Sequence, residues 1–434
     1  MAAGGTSAGG GAFMTAKCDP ASPASVKLTP KDQRPGYQNC PLETPGKHRT
    51  SLIEGESVPI RPTSKELAMT AAAEQDTCDT GIVYVMSNQE TGNSVTVFSR
   101  AADGSLTQGR TFPTGGLGAG SVNNPLDSLL SQGSLAISED RRFLFAVDAG
   151  SNEVSVLAID GETLTLTDRA PSGGTRPVSV TVHQNLVYVL NSTEGTITGF
   201  TVNADGKLSP LAGSTQTLIG GTDAGPSQVQ FTPDGTQLVV TERGNNVIDV
   251  FVVDADGRAG APVKNDSSGP GPFGFTFAGN DLLIVSELSD AASSYRVVQD
   301  GTLTVVSGSV PTTENGACWV VTNSTTDPEY AYVSNAVSGS ISGYRIDESG
   351  ALSLLNPDGH TAVAVDSHAV IDSAASSDGR YLYVLTGGFS ETSAVPVTCN
   401  PMTISAYRIE TGGSLTSIPG PVGLAPGTQG IVAI

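Results

Sequence analysis

Two glutamates, Glu242 and Glu287, end the apolar runs Leu238-Val-Val-Thr-Glu and Leu282-Leu-Ile-Val-Ser-Glu, and both are candidates for acid–base chemistry. Like charges brought close raise the pKa of one carboxyl, which leaves it able to give or take a proton near neutral pH. The plainer alternative is that each carboxylate caps the turn that follows it, Arg243-Gly-Asn-Asn or Ser289-Asp. Arg176, just before Pro177, carries a planar guanidinium that can grip a carboxylate or phosphate through two parallel hydrogen bonds. Glu242, Glu287 and Arg176 make up the expected catalytic group, although Arg176 would equally pair with Asp148 or Glu194.

The positions that match the two glutamates in other apolar runs are Ser87, Asp148, Asn191, Asn335 and Thr386. Asp148, Asn191 and Asn335 are expected to bind substrate. Together with the glutamates they would also suit a hard cation such as Ca²⁺, which takes about six to eight oxygens. No local spacing specifies a metal, so neither a metal site nor a cofactor is assigned. A second set lies ahead of the apolar runs, and from it Gln228, Trp319, His368 and Asp372 are expected to line the same pocket, with Gln132 and Phe273 beside them. Trp319, the only tryptophan, would either stack on a flat ligand or pack between repeats. No Ser-His-Asp arrangement and no GxSxG elbow is readable.

Residues so far apart meet only if a repeat brings them together. Ile82-Val-Tyr-Val, Phe143-Leu-Phe-Ala-Val, Leu186-Val-Tyr-Val-Leu, Leu238-Val-Val, Leu282-Leu-Ile-Val, Tyr330-Ala-Tyr-Val and Tyr381-Leu-Tyr-Val-Leu are seven copies of one strand. They recur every ~50 residues, the length of a propeller blade. Each leads through a turn into an alternating strand such as Thr196-Ile-Thr-Gly-Phe or Asn246-Val-Ile-Asp-Val-Phe. Asp103-Gly, Asp205-Gly and Asp300-Gly then supply the positive φ of tight hairpins before an edge strand. Most copies also have an apolar strand before them. The first does not, and the chain ends in Gln429-Gly-Ile-Val-Ala-Ile, which is predicted to fill the vacancy.

The expected fold is therefore all-β: a seven-bladed β-propeller over residues 81–434, closed by the C-terminal strand. An irregular extension, 1–80, precedes it, with Ser64-Lys-Glu-Leu-Ala-Met-Thr-Ala-Ala-Ala-Glu-Gln as a short helix. An open solenoid would need capping repeats, and none is visible. In each blade the start of the first strand and the end of the second share a face, so the candidate residues should gather at the mouth of the central channel.

Composition agrees with strands and turns: 52 Gly, 26 Pro and only 15% charged residues. The net charge of −21 opposes phosphate backbones and anionic lipid, so nucleic acid and membrane are not expected partners. A small molecule is expected, with a protein partner open to the extension. No apolar stretch is long enough to span a bilayer, and no basic-then-apolar leader is visible. A native start at Met1 would place the protein in the cytoplasm; removal of a signal would place it outside. Of five cysteines, Cys18 could pair with Cys40 or Cys78, and no CxxC pair occurs.

The stretch Gly225-Pro-Ser-Gln-Val-Gln-Phe-Thr-Pro-Asp-Gly-Thr-Gln-Leu-Val-Val-Thr-Glu, with Val252-Val-Asp-Ala-Asp-Gly-Arg and Asp378-Gly-Arg-Tyr-Leu-Tyr-Val-Leu, resembles the lactonase-family seven-bladed propellers. That family includes 6-phosphogluconolactonase-type enzymes and the fungal carboxy-cis,cis-muconate cyclase. The resemblance covers about residues 81–434 and implies a lactonase-like or cycloisomerase-like enzyme acting on a small lactone or unsaturated carboxylic acid. Glu242 matches the family's glutamate, whereas Ser227 and Gln228 stand where Arg-His is usual. Gln228 cannot shuttle a proton and Ser227 cannot clamp an anion. Two other functions stay open: a non-catalytic binding or scaffold propeller, and a metal-dependent hydrolase with a cation in the channel.

Overall fold

The computed structural model describes residues 80–120, 127–279, 281–324, 329–364, 369–387, 402–420 and 422–434. Its strands form seven antiparallel sheets, six of them built outward from a first, inner strand in chain order. The copies read from sequence are the second strands of the seven blades, from Gly81–Met86 in blade 1 to Tyr381–Thr386 in blade 7. In blades 3, 6 and 7 the outer edge is made by two short pieces pairing with the same third strand, such as Leu208–Pro210 and Gln216–Thr217. The predicted helix in the extension and Cys18, Cys40, Cys78 and Cys399 lie outside the described residues.

Second strands read as unbroken apolar runs because a neighbouring blade covers each of their faces. All six residues of Phe143–Asp148, Gln237–Glu242, Leu282–Glu287, Tyr330–Asn335 and Tyr381–Thr386 are buried. Each large apolar side chain so covered contributes about 1.5–3 kcal/mol.

The ring closes as expected. Ile431–Ala433 pairs antiparallel with Gly81–Met86, Val83 opposite Ala433 and Val85 opposite Ile431, and so becomes the inner strand of blade 1. Ile434 N donates to Ile82 O at 2.9 Å, and Met86 N donates to Gly430 O at 2.9 Å. Pairing the C-terminal strand with the first strand of the propeller removes the open edge that a linear array would leave. A latch between blades 1 and 7 reinforces the joint: buried Arg100 meets Asp378 at 3.0 Å and lies over the Tyr381 ring, while Tyr383 OH donates to Gly104 O.

Adjacent blades are also clasped at the turn after the second strand. Asn152, Asn246 and Asp290 adopt positive φ there, a conformation that short polar side chains tolerate. Their Oδ1 atoms accept from the backbone N–H groups of Arg176, Gly271 and Gly316, which lead into the next blade.

Candidate functional site

The strand-end residues do not converge on the channel, and here the structure corrects the expectation. Asp148, Asn191, Glu242, Glu287, Asn335 and Thr386 are fully buried, bonded to the third strand of their own blade or to the connection that arrives from the preceding one. Asp148 accepts from Ser155, Thr114 and Asn93 at 2.5–2.8 Å. Asn191 donates to Ser172 O, Asn335 to Ser340 and Ser342, and Thr386 shares a bond with Thr403. Glu287 accepts from Gly269 N at 2.9 Å, from Ser293 at 2.5 Å and from Ser309. The physical reason is the two-residue period of a strand: these side chains point along the sheet face toward the third strand and the incoming connection.

Glu242 and Glu287 share no partner. The second acid beside Glu242 is Asp249, on the third strand of the same blade. Asp249 lies opposite Val240, so its side chain and that of Glu242 are diagonal neighbours on one face. Glu242 Oε2 accepts from Gly220 N at 2.9 Å and from Asn245 Nδ2 at 2.6 Å, and Asp249 Oδ2 accepts from Ile219 N at 2.9 Å. Glu242 Oε1 and Asp249 Oδ1 are both buried with no hydrogen-bond partner among the described residues. Burial and the neighbouring Glu242 raise the Asp249 carboxyl to about 8.

The channel end where first strands begin is closed by residues 127–132, which cross it and touch most blades. Trp319 donates its indole N–H to Ser131 O at 2.9 Å, Arg176 donates to Ser128 O, and Ser131 Oγ donates to Val178 O. Gln132 bonds both the N–H and the C=O of Val320, and Gln228 does the same for Phe275. Inner strands have an unpaired edge facing the axis, and each glutamine amide satisfies it as a peptide would. Trp319 is fully buried against Phe273, rings 5.4 Å apart and nearly perpendicular. Its expected place against a ligand is therefore corrected: packing and the Ser131 bond occupy it.

Sequence reasoning missed two charged groups that lie within each other's field here. Arg243 Nη1 donates to Leu130 O, Gly225 O, Pro226 O and Ser227 Oγ at 2.7–3.2 Å, and Nη2 has no bond among the described residues. Asp127 accepts from Leu130 N at 2.6 Å and Gln429 Nε2 at 2.5 Å, and it feels the charge of Arg243. Burial outweighs these partners and pushes the Asp127 carboxyl up to about 6. Burial likewise pulls Arg243 down and is opposed by Asp127, while the nearby Arg176 charge adds to the fall. Buried Asp372 accepts from Ser373 N and Gly430 N, and desolvation holds its carboxyl well above the usual range. The signal for Arg243 was parity: if Glu242 points into the blade, its neighbour points the other way. Asp127 follows no repeat and offered none.

Beneath the crossing segment the channel keeps a cavity of about 290 Å³, lined by inner strands and including Gln228, Gln230, Thr181, Thr276, Asp372 and Ser373. His368 lies outside the described residues. The oxygens proposed for a cation sit in separate blades, and among the described residues no three His, Cys, Asp or Glu side chains gather as a metal site.

The chain matches the family described as lactonase, 7-bladed β-propeller, over residues 77–218 and 214–322. No curated protein matches it. Among solved structures, the Pseudomonas aeruginosa periplasmic gluconolactonase is 16% identical over 81% of this chain and 98% of its own, with a TM-score of 0.62. A provisionally named 6-phosphogluconolactonase of Bacteroides fragilis is 20% identical over 82% and 98%, with a TM-score of 0.58. A Lactobacillus plantarum protein is 20% identical over 81% and 98%, with a TM-score of 0.60. At these identities the solved structures speak to the fold. The family match spans more than half of the chain, and with seven closed blades beneath it, this chain belongs to the lactonase family of seven-bladed β-propellers.

Proposed function

We propose that the protein hydrolyses small lactones at the closed mouth of its channel. One observation carries the reading: Arg243 bonds the protein through Nη1, keeps Nη2 unbonded among the described residues, and lies in the field of Asp127. A cation with a spare donor beside a carboxyl raised to about 6 suits attack on an ester carbonyl. Water adds to the lactone carbonyl carbon, and Asp127 takes its proton. Arg243 Nη2 steadies the oxyanion. The ring C–O bond then breaks, the leaving oxygen recovers the proton from Asp127, and a hydroxy acid results. Arg176 would hold an anionic group of the substrate, as the sequence suggested. Glu242 and Glu287 act from inside their blades, without touching substrate.

The names carried by the structural neighbours put sugar-acid lactones, with and without a phosphate, first on the panel. Proton release should be followed for the wild type, Asp127→Asn and Arg243→Ala. Each substitution is expected to lower kcat about 100-fold. Because Asp127 must be ionised to act as base, wild-type kcat/KM should rise as pH passes about 6. Full kcat in both variants would refute these roles. No turnover across the panel would turn the reading toward a binding propeller.

A further inference from the structure

We propose that Asp249 carries a proton and donates it to Glu242, and that this shared proton makes Asp249 a positioning residue for Arg243. The third-strand residue diagonal to the strand end is Thr96, Ser155, Thr198, Asp249, Ser293, Ser342 and Ser405 in blades 1 to 7. Six blades place a hydroxyl there, and blade 4 alone places an acid. In blades 2 and 5 the hydroxyl donates to the strand-end carboxylate, Ser155 to Asp148 and Ser293 to Glu287, each at 2.5 Å. An ionised aspartate has no donor, so Asp249 can fill the same place only with its proton on.

The surroundings fit that state. Consecutive backbone N–H groups of Ile219 and Gly220 bond one oxygen each of Asp249 and Glu242, diagonal neighbours on one face, which leaves the other oxygen of each buried and without a partner among the described residues. Two bare acceptors in a buried site would repel, and one proton turns the contact into a bond. Lys264 faces Asp249 from the neighbouring strand, but its ammonium is bonded to Asp266 at 2.5 Å. Asp223, in the turn Gly221–Asp223, is exposed, and Arg243 is the remaining charge on the adjoining turn.

The pair clamps two segments together. Glu242 holds Asn245 on one side and Gly220 on the other, and Gly244 N donates to Ala224 O at 2.9 Å. Arg243 lies on the clamped turn, so loss of the proton should loosen the guanidinium over the mouth. This positioning role rests on the lactone-hydrolase reading; the shared proton does not.

The test uses the full-length wild type, Asp249→Ser, which restores the hydroxyl of the other blades, and Asp249→Asn as a second variant of native size. Folded Asp249 keeps a proton that the unfolded chain gives up above 3.8, so rising pH favours unfolding until the folded group ionises near 8. The wild-type Tm should therefore fall across that window relative to Asp249→Ser and level off above it. An infrared band of a protonated carboxylic acid should be present in the wild type at neutral pH and missing from both variants. Parallel Tm curves with no band lost would overturn the shared proton. For any lactone the wild type opens, KM should rise several-fold above about pH 8 and stay flat in Asp249→Ser. A flat wild-type KM would remove the positioning role. If no lactone is opened, Tm and infrared still decide the proton, so the two readings fail separately.

Discussion

Glu242 in blade 4 and Glu287 in blade 5 occupy the same place in the repeat, yet their surroundings differ in kind. Glu287 meets three donors: the Ser293 and Ser309 hydroxyls and the Gly269 N–H. Glu242 meets Gly220 N–H, the Asn245 amide and a second carboxyl, that of Asp249. The same acid is thus held once by groups that only need its charge and once by a group that needs a proton. Position in a repeat specifies a side chain's direction, and its neighbours specify its chemistry.

The comparison can be broken most forcefully at Glu287. Glu287→Leu should leave three donors unmet, two of them buried, and cost about 3 kcal/mol or more, read from the urea midpoint. A loss under about 1 kcal/mol would mean that the three bonds matter little. Gly269→Ala comes next, since a Cβ there would lie 2.0 Å from Glu287 Oε2; about 1–3 kcal/mol of overpacking is expected. Ser293→Asp would import the blade 4 arrangement into blade 5. It should cost about 1–2 kcal/mol at neutral pH and less in acid, because an added buried acid favours folding only while protonated. The smallest effect is expected for Glu242→Gln, within about 1 kcal/mol, as its amide can donate to Asp249 in place of the shared proton. If Glu242→Gln instead cost as much as Glu287→Leu, the two sites would be alike and the distinction would fall.

Much of the fold was legible in the chain. Seven apolar runs, Asp-Gly turns and an unpaired terminal strand are local patterns, and burial on both faces keeps second strands apolar from end to end. The candidate site was less legible because the strand ends were read by position in the repeat, without the parity that sends them into the blade. Trp319 shows the same limit. A lone tryptophan at an inner-strand start suits a ligand wall, but only the crossing of Ser131 above it shows that its N–H is already bonded.

The chain alone determined the strands, their number and the join between Gly81–Met86 and Ile431–Ala433, because alternation and turn chemistry act between near neighbours and repeat seven times. Tertiary structure decided that residues 127–132 close the channel, that Asp127 lies in the field of Arg243, and that Asp249 faces Glu242. Those meetings depend on an irregular segment crossing the axis and on which face a side chain takes. A packed ring fixes both, since each buried polar group must find its partner among whatever the neighbouring blades present.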